Sequence, residues 1–392
     1  MSRIIGKNRK PTSSQVSSVL LKKSTSKRSM ISSQQPSQSK LLKSVMRPES
    51  SEFSYSINKS YFSYHYAIGR GGFGKVWKVE TKRKKELYAM KEMQKLRVLS
   101  KRSVHSVMNE RQILETLRSP FIVNMHYAFQ DRENLYLVLD LKSGGDLRYH
   151  ISKYRRFTEV QAKFFIACIC SGLGYIHQNN ILHRDIKPEN LVFDGKGYLH
   201  ITDFGIARVW VLENSKDTSG TPGYMAPEVI LRRNHNIAAD YFAVGVILYE
   251  LIMGRRPYVG RDRREIRDHI TSKQARITEV PIGWSREAAD FANRLIQRKV
   301  EARLGNKGFE EIKEHPWLND FPWNDLAKGN IASPFIPRAQ DNFDPRTLCD
   351  WGDDIDASIN LANSQNLFAG YNYDERLFAE TKPSHKKSLS LF

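Results

Sequence analysis

Three short blocks, in fixed order along the chain, constrain this sequence more than its composition does. The first, His183-Arg184-Asp185-Ile186-Lys187-Pro188-Glu189-Asn190, sets a carboxylate, a cation and an amide at fixed offsets in one segment. Asp203-Phe204-Gly205 follows thirteen residues after Asn190, and Ala226-Pro227-Glu228 follows that. Far upstream stands a glycine cluster, Gly69-Arg70-Gly71-Gly72-Phe73-Gly74-Lys75-Val76, and then Lys91 at the end of Tyr88-Ala89-Met90-Lys91. Alone, each block is ordinary: a polar turn, a glycine turn, a helix start, a solvated lysine. Together they bring phosphate-handling groups into one chain. Glycines let backbone N–H groups approach phosphate without a Cβ in the way. A dinucleotide loop shares the same letters but needs a helix after it, and here the strand-like KVWKV follows.

Periodicity gives the frame. YFSYHYAIGRGGFGKVWKV reads as strand, tight turn, strand; ELYAMKEM and NLYLVLDL read as further strands. Residues 103–118 have helical spacing at Val107, Ile113, Leu114 and Leu117. Residues 158–178 begin at Thr158, a suitable N-cap, and continue as an apolar helix. Strands come first and helices later, which predicts an α+β chain with a β-rich lobe, a helical lobe and a cleft between them. The apolar run at 237–254 contains Asp240 and Glu250, so a buried core helix is expected rather than a membrane span. Residues 1–54 are rich in Ser and Lys and read as a disordered head. Eleven Lys/Arg against one Glu in residues 1–50 supply half of the +20 net charge. That charge suits anionic partners, such as a membrane surface or an acidic protein, without choosing between them. No module with clustered basic and aromatic residues is found, so no nucleic-acid partner is expected. Cys168, Cys170 and Cys349 form no metal pattern or disulfide framework, which fits a reducing compartment. There is no apolar secretory run near Met1, and Ser2 stands where myristoylation needs glycine. A cytoplasmic location is expected, with the nucleus and the membrane periphery left open.

From Phe62 to Leu318 the chain resembles the eukaryotic protein kinases, and the AGC group in particular, on the ordered blocks above. Lys187 in the catalytic loop is the serine/threonine form. The resemblance implies a bilobal kinase domain over 62–318, followed by an AGC-type tail over 319–392. It implies that Asp185 orients the acceptor hydroxyl and accepts its proton, and that Lys187 contacts the transferring phosphoryl group. Lys91 would be held by Glu110, and Asn190 and Asp203 would hold Mg²⁺, or Mn²⁺ in its place. ATP would lie under the loop Gly69, Arg70, Gly71, Gly72, Phe73, Gly74 and Lys75. Its adenine would sit among Ile68, Val76, Ala89 and Val192, with Leu139 as gatekeeper and Asp140 to Lys142 as hinge. Asp240 would brace the catalytic loop and Arg303 would pair with Glu228. Phe242 stands where the family usually has Trp, and a packing adjustment is expected.

Asn342-Phe343-Asp344 is similar to the tail segment that AGC kinases lay across the cleft. Phe368-Ala369-Gly370-Tyr371-Asn372-Tyr373 is similar to their hydrophobic motif, which docks beside the helix of Glu110. Asn372 and Asp217 occupy positions where relatives carry phosphorylated residues. Asp217 is therefore expected to pair with Arg184 in place of phosphate, with Thr218 or Ser219 as alternative switches. LDLKSGGDLRYHI, HITDF, GRRPY and FIPRAQDNFDP resemble the YANK subgroup. Asp146, Glu189 and Glu250 match family positions that form an acidic floor. They imply Arg or Lys two or three residues before the target Ser/Thr, and Ile206 favours Thr. Lys22-Lys23-Ser24-Thr25 has that pattern, so Thr25 is a candidate for autophosphorylation. A monomer acting on protein substrates is expected. The alternative is a catalytically weak kinase that scaffolds signalling, but Lys91, Asp185 and Asp203 are all retained. A kinase of small molecules is disfavoured by Gly220-Thr221-Pro222-Gly223 and by the tail.

Overall fold

The computed structural model describes residues 57–338 and 360–377. The strands expected around the glycine cluster form an antiparallel sheet. β1 (Phe62–Arg70) pairs with β2 (Gly74–Thr81), and β2 with β3 (Leu87–Gln94). The short helices α1 (Lys95–Ser100) and α2 (Val104–Thr116) follow, and then β4 (Met125–Gln130) and β5 (Asn134–Asp140). β5 lies between β3 and β4. Its alternate residues serve two cores. Tyr136 and Val138 pack with Phe62, Val79, Met90 and Phe129 on one face. Leu135, Leu137 and Leu139 face the core that includes Val107, Ile113 and Leu114 of α2. A strand covered on both faces reads as one continuous apolar run, which is why NLYLVLDL lacks alternation. At Gly74 a Cβ would lie 1.7 Å from the carbonyl oxygen of Glu92, so only glycine fits there.

The second lobe is helical. α3 (Leu147–Tyr154) is capped by Asp146, whose carboxylate accepts from the Tyr149 N–H at 2.7 Å. α4 (Glu159–Gln178) opens with a full capping box between Thr158 and Gln161. By length and composition alone α4 could cross a membrane, but most of it is buried inside the lobe, as a core helix is. Cys168 and Cys170 lie in its buried run, and burial pushes both thiols up, Cys168 to about 12, which makes them inert hydrophobes. Cys349 lies outside the described residues. Two small ribbons follow: β6 (Ile181–Leu182) with β9 (Arg208–Val209), and β7 (Leu191–Phe193) with β8 (Leu199–Ile201). They leave the 183–190 loop and Asp203 at strand ends. α5 (Pro227–Ile230), α6 (Ala238–Met253), α7 (Arg263–Ser272), α8 (Arg286–Leu295), α9 (Phe309–Lys313) and α10 (Trp323–Lys328) complete the lobe. α6 is the buried helix expected at 237–254, and almost every residue of it is covered.

Residues 360–377 return to the β lobe. Phe368 and Tyr371 are fully buried in the core that holds α2, and Tyr373–Asp374 forms β10 on the free edge of β4. The bilobal α+β expectation holds. The head, Thr25 and the Asn342-Phe343-Asp344 segment lie outside the described residues.

Candidate active site

A cleft of about 1340 Å³ runs between the lobes. Ile68, Gly69, Arg70, Gly71, Gly72, Phe73, Val76 and Ala89 line it from the sheet side, and Leu139, Asp140 and Lys142 from the connection. Asp146, Lys187, Glu189, Asn190, Val192 and Asp203 line it from the helical lobe. Gly74 and Lys75 carry the loop on into β2. The Gly71 N–H donates to the Gly74 carbonyl at 2.9 Å, closing the turn. Lys101 donates to the Gly72 carbonyl at 2.7 Å and lies over the Phe73 ring, tying the loop tip to the end of α1. No sequence signal marks Lys101 for this role.

Lys91 lies within β3, which runs on to Gln94, and donates to both Glu110 oxygens at 2.8 and 2.9 Å. Its ammonium is 3.9 Å from Asp203. Burial lowers the Lys91 pKa, yet Glu110 and then Asp203 outweigh it and raise the group overall. Burial raises the Glu110 carboxyl, with Lys91 pulling the other way. The doubled contact decides for the charged pair.

The 183–190 loop is fixed from below. Asp240 of α6 is fully buried and accepts from the backbone N–H groups of His183 at 3.0 Å and Arg184 at 2.8 Å. Burial alone would raise its pKa, but the hydrogen bond with His177 and the backbone donors hold it below the usual carboxylate range. This is the bracing role expected of Asp240. Arg184 and Asp203 both adopt positive φ, at 67° and 64°, a conformation uncommon for non-glycine residues that is shared here with Lys85, Arg102, Arg155, Asn180 and Arg232. His183 connects the two segments: it accepts from the Asp185 N–H at 3.3 Å, and its ring meets Phe204 edge-on at 5.0 Å.

Asp185 is the point of convergence. One oxygen accepts from the Thr221 hydroxyl at 2.7 Å, and the other from Lys187 at 2.6 Å and the Asn190 amide at 3.1 Å. Lys187 also reaches Thr221 at 3.0 Å, which joins the catalytic loop to the 217–223 segment. The Asn190 amide nitrogen is committed to Asp185, leaving its oxygen as the group available to a cation. Asp203 adds a carboxylate whose pKa is lowered by Lys91 against the effect of burial. Among the described residues no three His, Cys, Asp or Glu converge on one metal position. Two hard oxygen donors lining the cleft suit Mg²⁺, which is bound by few protein oxygens together with phosphate and water. When bound, the cation would neutralise phosphate charge.

Asp217 and Glu228 also make the contacts expected of them. Arg184 Nη1 lies 3.1 Å from Asp217 Oδ2, an ion pair by distance that is not aligned as a hydrogen bond. Arg303 forks onto Glu228 at 2.6 and 2.9 Å, with its guanidinium 5.0 Å from the Phe242 ring centre. Phe242 therefore gives this buried pair a ring contact.

A β lobe with a glycine loop, set over a helical lobe that converges on a braced Asp and a Lys–Glu pair, defines a protein kinase fold. A family model described as protein kinase domain matches residues 62–318, and the chain belongs to that family. It is 36% identical to a probable serine/threonine-protein kinase of Dictyostelium discoideum, over 82% of this chain and 72% of that one. Against serine/threonine-protein kinase sgk-1 of Caenorhabditis elegans the identity is 38%, over 73% of this chain and 62% of the relative, slightly less than two thirds of its length. Against serine/threonine-protein kinase Sgk1 of Homo sapiens it is 33%, over 80% and 76%. The enzyme is a serine/threonine protein kinase with relatives in the AGC group.

Proposed function

We propose that this kinase transfers the γ-phosphate of ATP, with Mg²⁺ or Mn²⁺, to Ser or Thr in protein segments carrying Arg or Lys two or three residues earlier. The carrying observation is the convergence of Lys187, Asn190 and Thr221 on Asp185, close to a formed Lys91–Glu110 pair. In this reading Asp185 holds the acceptor hydroxyl and takes its proton. Lys187 lies within reach of the same hydroxyl and of the transferring group. Lys91 sits on the α- and β-phosphates, and Asn190 and Asp203 take the cation. Ile68, Val76, Ala89 and Val192 cover the base, and Asp140 to Lys142 supply backbone partners. Phosphoryl transfer of this kind needs positioning and charge neutralisation more than covalent help.

The basic preference rests on Asp146, Glu189 and Glu250, and the preference for Thr on Ile206. Residues 368–373 act as a hydrophobic motif that needs no phosphate, since Asn372 takes the phosphosite position. Asp217 holds Arg184 without phosphorylation. These features support an AGC-type tail and the YANK-like subgroup. The basic head tethers the kinase to an anionic surface or acidic partner in the cytoplasm.

A positional peptide library with ATP and Mg²⁺, run beside D185N, tests the reading. The wild type should phosphorylate Ser/Thr peptides with enrichment of Arg or Lys before the acceptor. D185N should lose about three orders of magnitude or more, in keeping with removal of a group that acts only on the reacting atoms. Equal activity in D185N overturns the assignment of Asp185. Absence of basic enrichment overturns the specificity alone.

A further inference from the structure

The acidic floor has an occupant that belongs to the chain itself. Arg148 lies in the first turn of α3, two residues after Asp146. Its Nη1 donates to Glu250 Oε1 at 2.8 Å and its Nη2 to Glu250 Oε2 at 3.0 Å, so one guanidinium takes both oxygens. Its Nε donates to Glu189 at 3.1 Å. The same Nη2 contacts the Tyr224 hydroxyl, which in turn donates to Glu250 at 3.2 Å. Arg256 adds a second positive charge: it lies 2.9 Å from where a Cβ on Gly223 would stand, and its charge reaches Tyr224. Both glutamates are thus engaged by the one Arg148 guanidinium, with the charge of Arg256 nearby on the Tyr224 side. The carboxylate that stays apart is Asp146, whose oxygen caps α3.

We propose that Arg148 is a specificity-determining residue, a resident guanidinium in the subsite that a substrate's basic residue would use. The inference rests on reading Glu189 and Glu250 as peptide-facing. The planar fork that Arg148 presents to Glu250 is the geometry a substrate arginine would need. An incoming arginine must therefore displace Arg148, or settle for Glu189, the more exposed of the two, and Asp146. Exchanging one forked guanidinium for another gains little, because every bond made on Glu250 replaces one already there. Arg148 is only about a quarter exposed and is held from a second side by Tyr224, so it does not leave freely. The selection for basic residues is accordingly compressed in the wild type, and removing the Arg148 guanidinium uncovers it.

The test compares kcat/KM for two peptides that differ only in Arg or Ala at one position before the acceptor, two residues and then three residues upstream. It uses the full chain as wild type, R148Q and R148Q/E250Q. The Arg-to-Ala ratio is measured within one preparation, so the folded fraction of each variant cancels, and a merely structural role for Arg148 would leave the ratio unmoved. R148Q should raise the ratio about tenfold at one of the two positions, the scale of a charge-assisted hydrogen bond newly available to substrate. Adding E250Q should return it toward the wild-type value. If R148Q does not fold, R148K serves: lysine cannot fork onto both oxygens, and its ratio should also rise. A ratio that stays within about twofold of wild type in R148Q, or in R148K where R148Q fails, overturns the proposal. If the wild type still selects basic residues in that case, the acidic floor stands and only Arg148 is reassigned. If wild type and variants alike show no selection, the peptide-facing reading of Glu189 and Glu250 falls with it.

Discussion

Removing the two buried aromatics of the tail, by Phe368→Ala with Tyr371→Ala, should reach the active site through one residue, Arg111. Both side chains are fully buried, and each sits in the core that contains α2. Truncating a buried aromatic costs about 3–5 kcal/mol where the surroundings cannot relax. Here the segment can undock, so the loss is capped by the free energy of docking. On undocking, Arg111 loses two acceptors, the Tyr371 carbonyl at 3.0 Å and the Asn372 carbonyl at 2.9 Å. Hydrogen bonds to a charged group contribute about 1.5–3 kcal/mol each. Arg111 keeps its contact with Glu115 one turn further along α2, so the helix itself survives. What it loses is its anchor, and Glu110 is the adjacent residue. The expected result is a fall in kcat/KM of about ten- to a hundredfold, equivalent to some 1.4–2.8 kcal/mol less transition-state stabilisation. Adding a peptide of residues 360–377 should restore part of it.

Tyr371→Phe is the matched control. The Tyr371 hydroxyl is buried with no partner among the described residues, and burial raises its pKa well above the usual value. Deleting an unpaired buried hydroxyl costs nothing and can stabilise, so Y371F should keep full activity. If the double alanine variant melts earlier yet keeps wild-type kcat/KM, the tail stabilises the β lobe without positioning Glu110. The argument through Arg111 would then be wrong.

Three further outcomes follow from the same contacts. Asp217 is about half exposed, so its ion pair with Arg184 is screened and contributes about 1 kcal/mol at most; D217N should lose activity only a few-fold and phosphatase treatment of the wild type should change little, whereas activity abolished by phosphatase and untouched by D217N would sink the stand-in role. Glu228 and Arg303 form a fully buried forked pair, and E228Q should lower the unfolding free energy by about 3–5 kcal/mol, with a loss under about 1 kcal/mol contradicting it. His126 bridges Asp140 of the hinge at 2.7 Å and Glu375 of the tail at 2.6 Å, with Arg118 also near Glu375 and Lys142 near Asp140. Burial disfavours its charge, but Asp140 and then Glu375 outweigh that and raise its pKa. A raised group stabilises fully below its unfolded value, about 6.5 for histidine, and loses that contribution as pH rises through the folded value. The melting-temperature gap between wild type and H126Q should thus be widest near pH 6 or below, roughly, and close as the solution becomes alkaline; a gap that widens instead would reverse the assignment.

The sequence carried the site more fully than the surface around it, and the reason is geometric. Asp185, Lys187 and Asn190 meet because they share one loop, so their offsets are visible as spacing. Lys91 and Glu110 are legible because a strand and the helix after it must face each other across a short connection. The two buried aromatics of the tail are visible as an isolated apolar cluster that needs cover. By contrast β10 is two residues long and takes its pairing from an edge that exists only once β4 is in place. α1 begins with Lys95, which reads as an exposed charge, yet it is buried because Asp131 and Gln365 supply acceptors from distant segments.

Arg148 shows the same limit where it bears on function. Two positions after Asp146, on a polar helix start, a solvated arginine is the natural reading. Its partners Glu189 and Glu250 are 41 and 102 residues away and look, one by one, like free carboxylates. Family position marks both as acidic, but a charge assigned by position is not a charge left available. Availability depends on which side chains converge in space, and here a guanidinium converges on them. The same reasoning separates the catalytic claim from the specificity claim. At the hydroxyl-binding end of the cleft, Lys187 and Asn190 share the loop of Asp185, while Thr221 and Asp240 reach that loop from 36 and 56 residues away. On the proposed reading, selection along the peptide depends on a balance between Arg148 and the carboxylates it holds, Glu189 and Glu250, and changing one of them should shift that selection while Asp185 and its partners stay in place.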